Sequence, residues 1–182
     1  MDTLSLFQKC DKIDVIRIHT RLPITNPALL KDWHYNLIRK IHIPRVSLHI
    51  NHPAEITPEA SHVIQRLRET GAVLYSQSVL LKGVNDDVKT LHDLFTGIMK
   101  QGVHPYYLYH NDPVPWGRHF TVPFTEAIQM WQQLRPRLSG IAATAKFVID
   151  VPQGKGKVPV PEGNWGERYE WVEDYEGKKH LL

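Results

Sequence analysis

A lysine on a glycine-bearing loop can condense with an aldehyde, and a pair of carboxylates can receive a cation. The stretch Asp150-Val151-Pro152-Gln153-Gly154-Lys155-Gly156-Lys157-Val158-Pro159 offers both, since Asp150 opens it and Lys155 and Lys157 stand among its glycines. Glycine lets the backbone approach a bound molecule closely. A flexible surface loop is the plainer reading of the same composition. Four further polar residues carry potential chemistry: Arg21, His49, Gln77 and Asp112. Each alone is an ordinary polar group, but their convergence with Asp150 on one edge of a sheet would make a site. A metal is not expected from His49-Ile50-Asn51-His52, because residues i and i+3 on an extended chain face opposite ways. No HExxH or HxxxH pair occurs either.

Such a convergence needs strands that end together. Across residues 15–21 the apolar Ile16 and Ile18 alternate with Arg17, His19 and Arg21, which predicts a strand. Residues 45–50 alternate in the same way, with Val46, Leu48 and Ile50 on one face and Arg45, Ser47 and His49 on the other. Residues 73–80, 104–109 and 146–150 are further strands, rich in β-branched or aromatic side chains. Helices fall between them. Thr57 is placed to cap one, with Pro58 at its first position, a stripe of Ala60, Val63, Ile64 and Leu67, and Gly71 beyond its end. Asn26 with Pro27 opens another carrying Leu30, Trp33 and Leu37. Val88, Leu91, Phe95 and Ile98 stripe a third, and Phe124, Ile128, Trp131 and Leu134 a fourth.

Strand starts recur about every 30 residues, one strand–helix unit, which predicts an α/β chain with a parallel sheet. A complete eight-unit barrel takes roughly 200 to 250 residues, so about four units and a final strand predict a partial (β/α) barrel. Residues 1–150 form that half barrel in this reading, and 151–182 a loop and irregular tail. In such sheets reactive groups gather at the carboxyl ends of the strands, where Arg21, His49, Gln77, Asp112 and Asp150 fall.

Composition narrows the function classes. With 42% hydrophobic and 23% charged residues among 182, the chain has the make-up of a soluble globular protein. No run approaches the roughly 18 apolar residues of a membrane span, and the first residues carry no signal-peptide pattern, so a cytoplasmic location is expected. The net charge of +3 is spread thinly and predicts no nucleic-acid partner. Cys10 is the single cysteine, which excludes an intrachain disulfide, a thiolate zinc site and a CxxC pair within the chain.

Several strings follow one another in a recognisable order: His19-Thr20-Arg21-Leu22-Pro23, Asn51-His52-Pro53-Ala54-Glu55-Ile56, the run from Gln77 to Asp86, the run from Pro105 to Asp112, His119-Phe120, and Phe147-Val148-Ile149-Asp150. Over about residues 13 to 178 this pattern resembles the carboxy-terminal half of the lysine 2,3-aminomutase family. That family moves the 2-amino group of L-lysine to carbon 3 by radical chemistry, using S-adenosylmethionine (SAM), a 4Fe–4S cluster and pyridoxal phosphate (PLP). The resemblance implies that Lys157 is the lysine that holds PLP, because Val158-Pro159 matches the apolar-proline pair after it. Lys155 competes, since the family's four-glycine run here reads Gln153-Gly154-Lys155-Gly156. Asp112 and Asp150 match the carboxylates that receive the substrate's side-chain ammonium, and paired negative charge favours a basic substrate over glutamate. His49 and Gln77 match positions that contact SAM, and Tyr109 one beside the PLP ring.

A family-type cluster needs the cysteines of a CxxxCxxC motif, which one cysteine cannot supply. The arginine that clamps the substrate carboxylate in the family is missing with that motif. Asp87 stands where some members place a zinc-ligand cysteine, so no metal site is assigned to this chain. The expectation is therefore an L-lysine 2,3-aminomutase present as an incomplete chain, inactive when isolated, with SAM and cluster bound only alongside a missing amino-terminal half. That complementary half, or a second copy, is the expected protein partner. Two other readings stay open: a translation-factor-related β-lysine-forming enzyme, and a non-catalytic half-barrel binding module.

Overall fold

The computed structural model describes residues 3–112, 114–151, 156–160, 171–173 and 178–181. A short helix, α1 (Thr3–Gln8), precedes the first strand, β1 (Arg17–Thr20). There follow α2 (Leu22–Thr25), α3 (Asp32–Arg39), β2 (Arg45–His49), α4 (Pro58–Arg68), β3 (Val73–Leu80), α5 (Val88–Lys100), β4 (His104–His110), α6 (Phe124–Leu134) and β5 (Lys146–Asp150). Three short strands come last: β6 (Lys157–Pro159), β7 (Trp171–Glu173) and β8 (Lys179–Leu181).

Six of these strands form one sheet in the order β1-β2-β3-β4-β5-β6, and β7 pairs separately with β8. The first five run parallel, while β6 is antiparallel to β5. The chain is thus α/β with a mostly parallel sheet, as its strand and helix alternation predicts. Among the described residues no helix is long and apolar enough to cross a membrane.

Alternation decides which face each side chain joins. Val46, Leu48, Ile50, Leu74, Leu80, Leu108 and Phe147 are buried with Tyr35, Ile64, Leu67, Phe95, Ile98, Ile128 and Trp131 from the helices, so the core lies on one side of the sheet. The opposite face runs in register through His19 beside Ser47, His49 beside Gln77, Gln77 beside Tyr107, Val79 beside Tyr109, and Asp150 beside Lys157. Apart from Val79 these groups are polar or aromatic, and none joins the apolar core. A β-bulge between Ser76 and Gln77 gives β4 an extra residue, Tyr106, whose ring lies 3.8 Å from that of Tyr107. The extra residue keeps Tyr107 and Tyr109 on the polar face despite the local slip in pairing.

The bounds of α4 follow their sequence signals. Thr57 accepts from the Ala60 amide at 3.1 Å and Pro58 opens α4, with Gly71 left-handed at φ 83° just beyond. Asp87 caps α5 by accepting from the Thr90 amide at 2.8 Å, which gives that carboxylate a local structural role.

Two expectations change. Pro27 opens only a single 3-10 turn over Pro27–Leu29, and the helix begins at Asp32, because the extended Leu30 breaks the run. The stripe of that helix is accordingly Tyr35 and Ile38, whereas Trp33 is exposed and stacks on His34. Beyond Val151 the chain is not all loop: Val151 donates to the Gly156 carbonyl at 3.0 Å, the chain reverses, and Lys157–Pro159 adds a strand to the sheet. Gly156 takes a φ of 102° there, a conformation that favours glycine. Val160 then enters the core. Lys155, with Gln153 and Gly154, lies outside the described residues.

Candidate functional site

Parallel strands deliver their last residues to the same edge, and at this edge the polar face opens into a cavity of about 420 Å³. His49, Gln77, Tyr109, Asp112, Asp150 and Lys157 all line it, so these six of the residues singled out in the sequence are brought to one place. Arg21 is not. It forms an ion pair with Glu55, whose other oxygen accepts from the amides of Asn51 and His52 at 2.6 and 3.2 Å. Its role is to fix the turn that follows β2. His52 caps the same turn by accepting from Ala54 N at 3.1 Å, so its Nδ1 is engaged locally.

A buried amide network holds the edge in place. Asn85, with no exposed surface, donates to the carbonyls of Asn51 and Val79 at 2.7 and 2.8 Å and accepts from Leu81 N at 2.7 Å. Asn51 in turn accepts from Val79 N at 3.0 Å, and Ser78 donates to the Ile50 carbonyl at 2.5 Å. The ends of β2 and β3, which carry His49 and Gln77, are thereby fixed relative to each other.

Charge in the cavity is mixed. Lys157 Nζ lies 3.3 Å from Asp150 Oδ2 and 5.6 Å from the centre of the Tyr109 ring. Partial burial and the charge of Asp150 push the Asp112 carboxyl above the usual range. Burial, with Tyr107 and Asp150 nearby, raises Tyr109 and keeps its phenol protonated, while burial and Tyr106 push Tyr107 up to about 12. His49 Nε2 and Ser47 Oγ are shielded from solvent on the polar face and have no protein partner.

Sequence reasoning did not single out six other lining residues: Arg17, His19, Val79, His110, Asn111 and Val114. The alternation of β1 already put Arg17 and His19 on the polar face, which was the available signal. His19 hydrogen-bonds the Gln77 side chain. Asn111 ties down the loop after β4 by donating to Gly117 O and Thr121 Oγ1, both at 3.1 Å. A larger hollow of about 680 Å³ lies between the ends of α4 and α5, but its lining of His62, Gln65, Arg68, Glu69 and Lys100 is a helix surface with no residue of the strand ends.

Burial holds His19, His49 and His110 below the ordinary imidazole value, aided by Arg17 at His19 and by Arg21 at His49. All three are neutral at pH 7. As pH falls, the unfolded chain takes up these protons first, so stability that is full above about pH 6.5 is lost below it. The urea midpoint should therefore be lower at pH 5.5 than at pH 7.5. The gap should narrow in a His49→Gln/His110→Gln variant; an unchanged gap would place the acid sensitivity elsewhere.

The fold and site together define an α/β protein whose polar chemistry is gathered at the carboxyl ends of parallel strands. No family model matches the chain. Curated relatives do. It is 37% identical over 148 residues to the L-lysine 2,3-aminomutase of Clostridium subterminale, covering 81% of this chain and 35% of that one. It is 40% identical over 126 residues to the L-lysine 2,3-aminomutase of Haemophilus influenzae, covering 69% and 37%. It is also 31% identical over 178 residues to the glutamate 2,3-aminomutase of Clostridioides difficile, covering 96% and 42%. The chain belongs to the lysine 2,3-aminomutase family and corresponds to its carboxy-terminal half. It spans about 31% to 48% of the length of the curated relatives it matches.

Proposed function

We propose that this chain is the carboxy-terminal half of an aminomutase that acts on L-lysine or a similar basic amino acid, with PLP held by Lys157. The observation that carries the reading is the meeting of one amine, Lys157, and two carboxylates, Asp150 and Asp112, in a cavity flanked by Tyr109. Relatives bearing both lysine and glutamate names leave the substrate side chain to be chosen by the site. Two carboxylates whose charges oppose each other favour a cation between them.

The residues present suit PLP. Lys157 is half exposed towards a cavity within the size range of small-molecule sites, and the Tyr109 ring offers a flat neighbour. When bound there, PLP would supply its electron-sink chemistry. Asp150 and Asp112 would hold the substrate's side-chain cation, and the protonated Tyr109 would present a hydrogen-bond donor. His49, with its unpartnered Nε2, and Gln77 suit the role of SAM contacts.

The 4Fe–4S cluster does not suit this chain. Its one cysteine, Cys10, is exposed, and among the described residues no three His, Cys, Asp or Glu side chains are grouped to hold a metal. The thiolates for a cluster must come from sequence outside these 182 residues. The sheet supports the same division. Strands in sequential order with their apolar packing on one face suit a segment of a (β/α) barrel, and parallel sheets are ordinarily covered on both faces.

Incubation with PLP, borohydride reduction and peptide mapping tests the cofactor assignment. The adduct should fall on Lys157. Labelling confined to Lys155, or spread evenly over exposed lysines, would overturn it.

A further inference from the structure

The geometry points to Lys157 as an internal occupant of the cation subsite: until the cofactor engages it, its ammonium stands where the substrate's side-chain cation would be received. The inference rests on the proposed role of Asp150 and Asp112. It adds an order of events, in which commitment of Lys157 to the cofactor frees Asp150 for a basic substrate.

The pairing is built into the sheet. Lys157 and Asp150 are direct cross-strand partners in the antiparallel β5 and β6 pair, where opposed side chains stand next to each other. Left-handed Gly156 immediately precedes the lysine, and the contact from Val151 N to Gly156 O closes the connection. The resulting ion pair has Nζ 3.3 Å from Oδ2, with side-chain exposures of 39% and 36%, and it sits inside the cavity rather than on outer surface. Asp112 lines the same cavity, as does Arg17, the other cation there. A primary ammonium held by Asp150 in a cavity that also presents Asp112 has the chemistry of a lysine side chain.

Condensation removes it. The Lys157 ammonium and the cofactor's aldehyde form a carbon–nitrogen double bond, with the aldehyde oxygen leaving as water and one proton released. The nitrogen is then no longer a free ammonium. A half-exposed ion pair is weak enough to be given up, being worth at most about a fivefold factor in equilibrium.

n-Butylguanidinium tests this, since it is a cation that lacks a primary amine to condense with PLP. Binding would be measured by calorimetry to the full chain, to Lys157→Met, to Lys157→Gln and to Asp150→Asn, each with and without PLP, after circular dichroism has verified folding. The expected result is weak binding by the parent without PLP and about fivefold tighter binding by both Lys157 variants. PLP should bring the parent to the variants' affinity and leave the variants unchanged, and Asp150→Asn should abolish the gain. Equal affinity in the parent and both Lys157 variants, with binding still dependent on Asp150, would overturn the inference and leave the cation site standing. Binding that ignores Asp150, or none in any of the proteins, would overturn the site assignment and the inference with it.

Discussion

Replacing Asp150 or Asp112 with asparagine should weaken L-lysine binding roughly 10- to 100-fold, the factor expected when a hydrogen bond between charged groups is lost. The measurement uses PLP-loaded protein joined to the amino-terminal half of a full-length relative, with titration of L-lysine into parent and variants. Stability should move the other way at Asp112. Its folded-state value is raised by burial and by Asp150, so its stabilising contribution is complete below the unfolded value of about 3.9 and is lost as pH rises through the folded one. At neutral pH the ionised carboxylate is a liability, and Asp112→Asn should need slightly more urea to unfold. A carboxylate kept only for the fold would show no such split. If both variants bind lysine as well as the parent, the basic-substrate assignment fails.

Asn85→Ala should be among the most destabilising single substitutions in the described fold, costing about 3 kcal/mol or more and lowering the melting temperature by roughly 6 to 12 °C. The side chain is fully buried and serves three backbone groups, the carbonyls of Asn51 and Val79 and the amide of Leu81. Alanine leaves all three without a partner, at about 1 to 3 kcal/mol each when water cannot reach them. Asn85→Asp separates the two carbonyls from the amide, since it keeps the acceptor for Leu81 and loses both donations. Chemical denaturation of the three proteins would give the ledger directly. A loss below about 1 kcal/mol in Asn85→Ala would show that water replaces the amide, and that the strand ends are not braced by it.

Much of this arrangement is legible in the residues, for identifiable reasons. The faces of β1 and β2 follow from period-two alternation, and α4 from Thr57, Pro58 and its stripe, because these signals are local. What escaped is what depends on distant partners. Trp33 has the spacing of a core residue, yet the turn at Pro27 and the extended Leu30 rotate the following helix so that Tyr35 and Ile38 are buried instead. Strand β6 is three residues, one a lysine and one a proline, too short to announce itself, and it exists because β5 offers an edge. Arg21 has the sequence position of a site residue, but Glu55, 34 residues later, claims it. The site candidates themselves were found by resemblance and strand-end logic together. Arg17 and His19 were within reach of the alternation along β1, which puts both on the polar face.

The parity of the sheet bears on how such a chain can change over generations. Positions facing the cavity and positions facing the helices alternate along each strand, so a substitution at His49, Gln77 or Asp150 changes the lining of the cavity without replacing the residues that hold helices to sheet. New specificities can then be sampled one residue at a time on a scaffold that stays folded. Gaining or losing a single residue within a strand has the opposite character. It exchanges the two sets wholesale, driving Leu48 towards the cavity and His49 into the oily layer, and lineages carrying it would be eliminated unless a compensating bulge such as that at Tyr106 absorbed the slip.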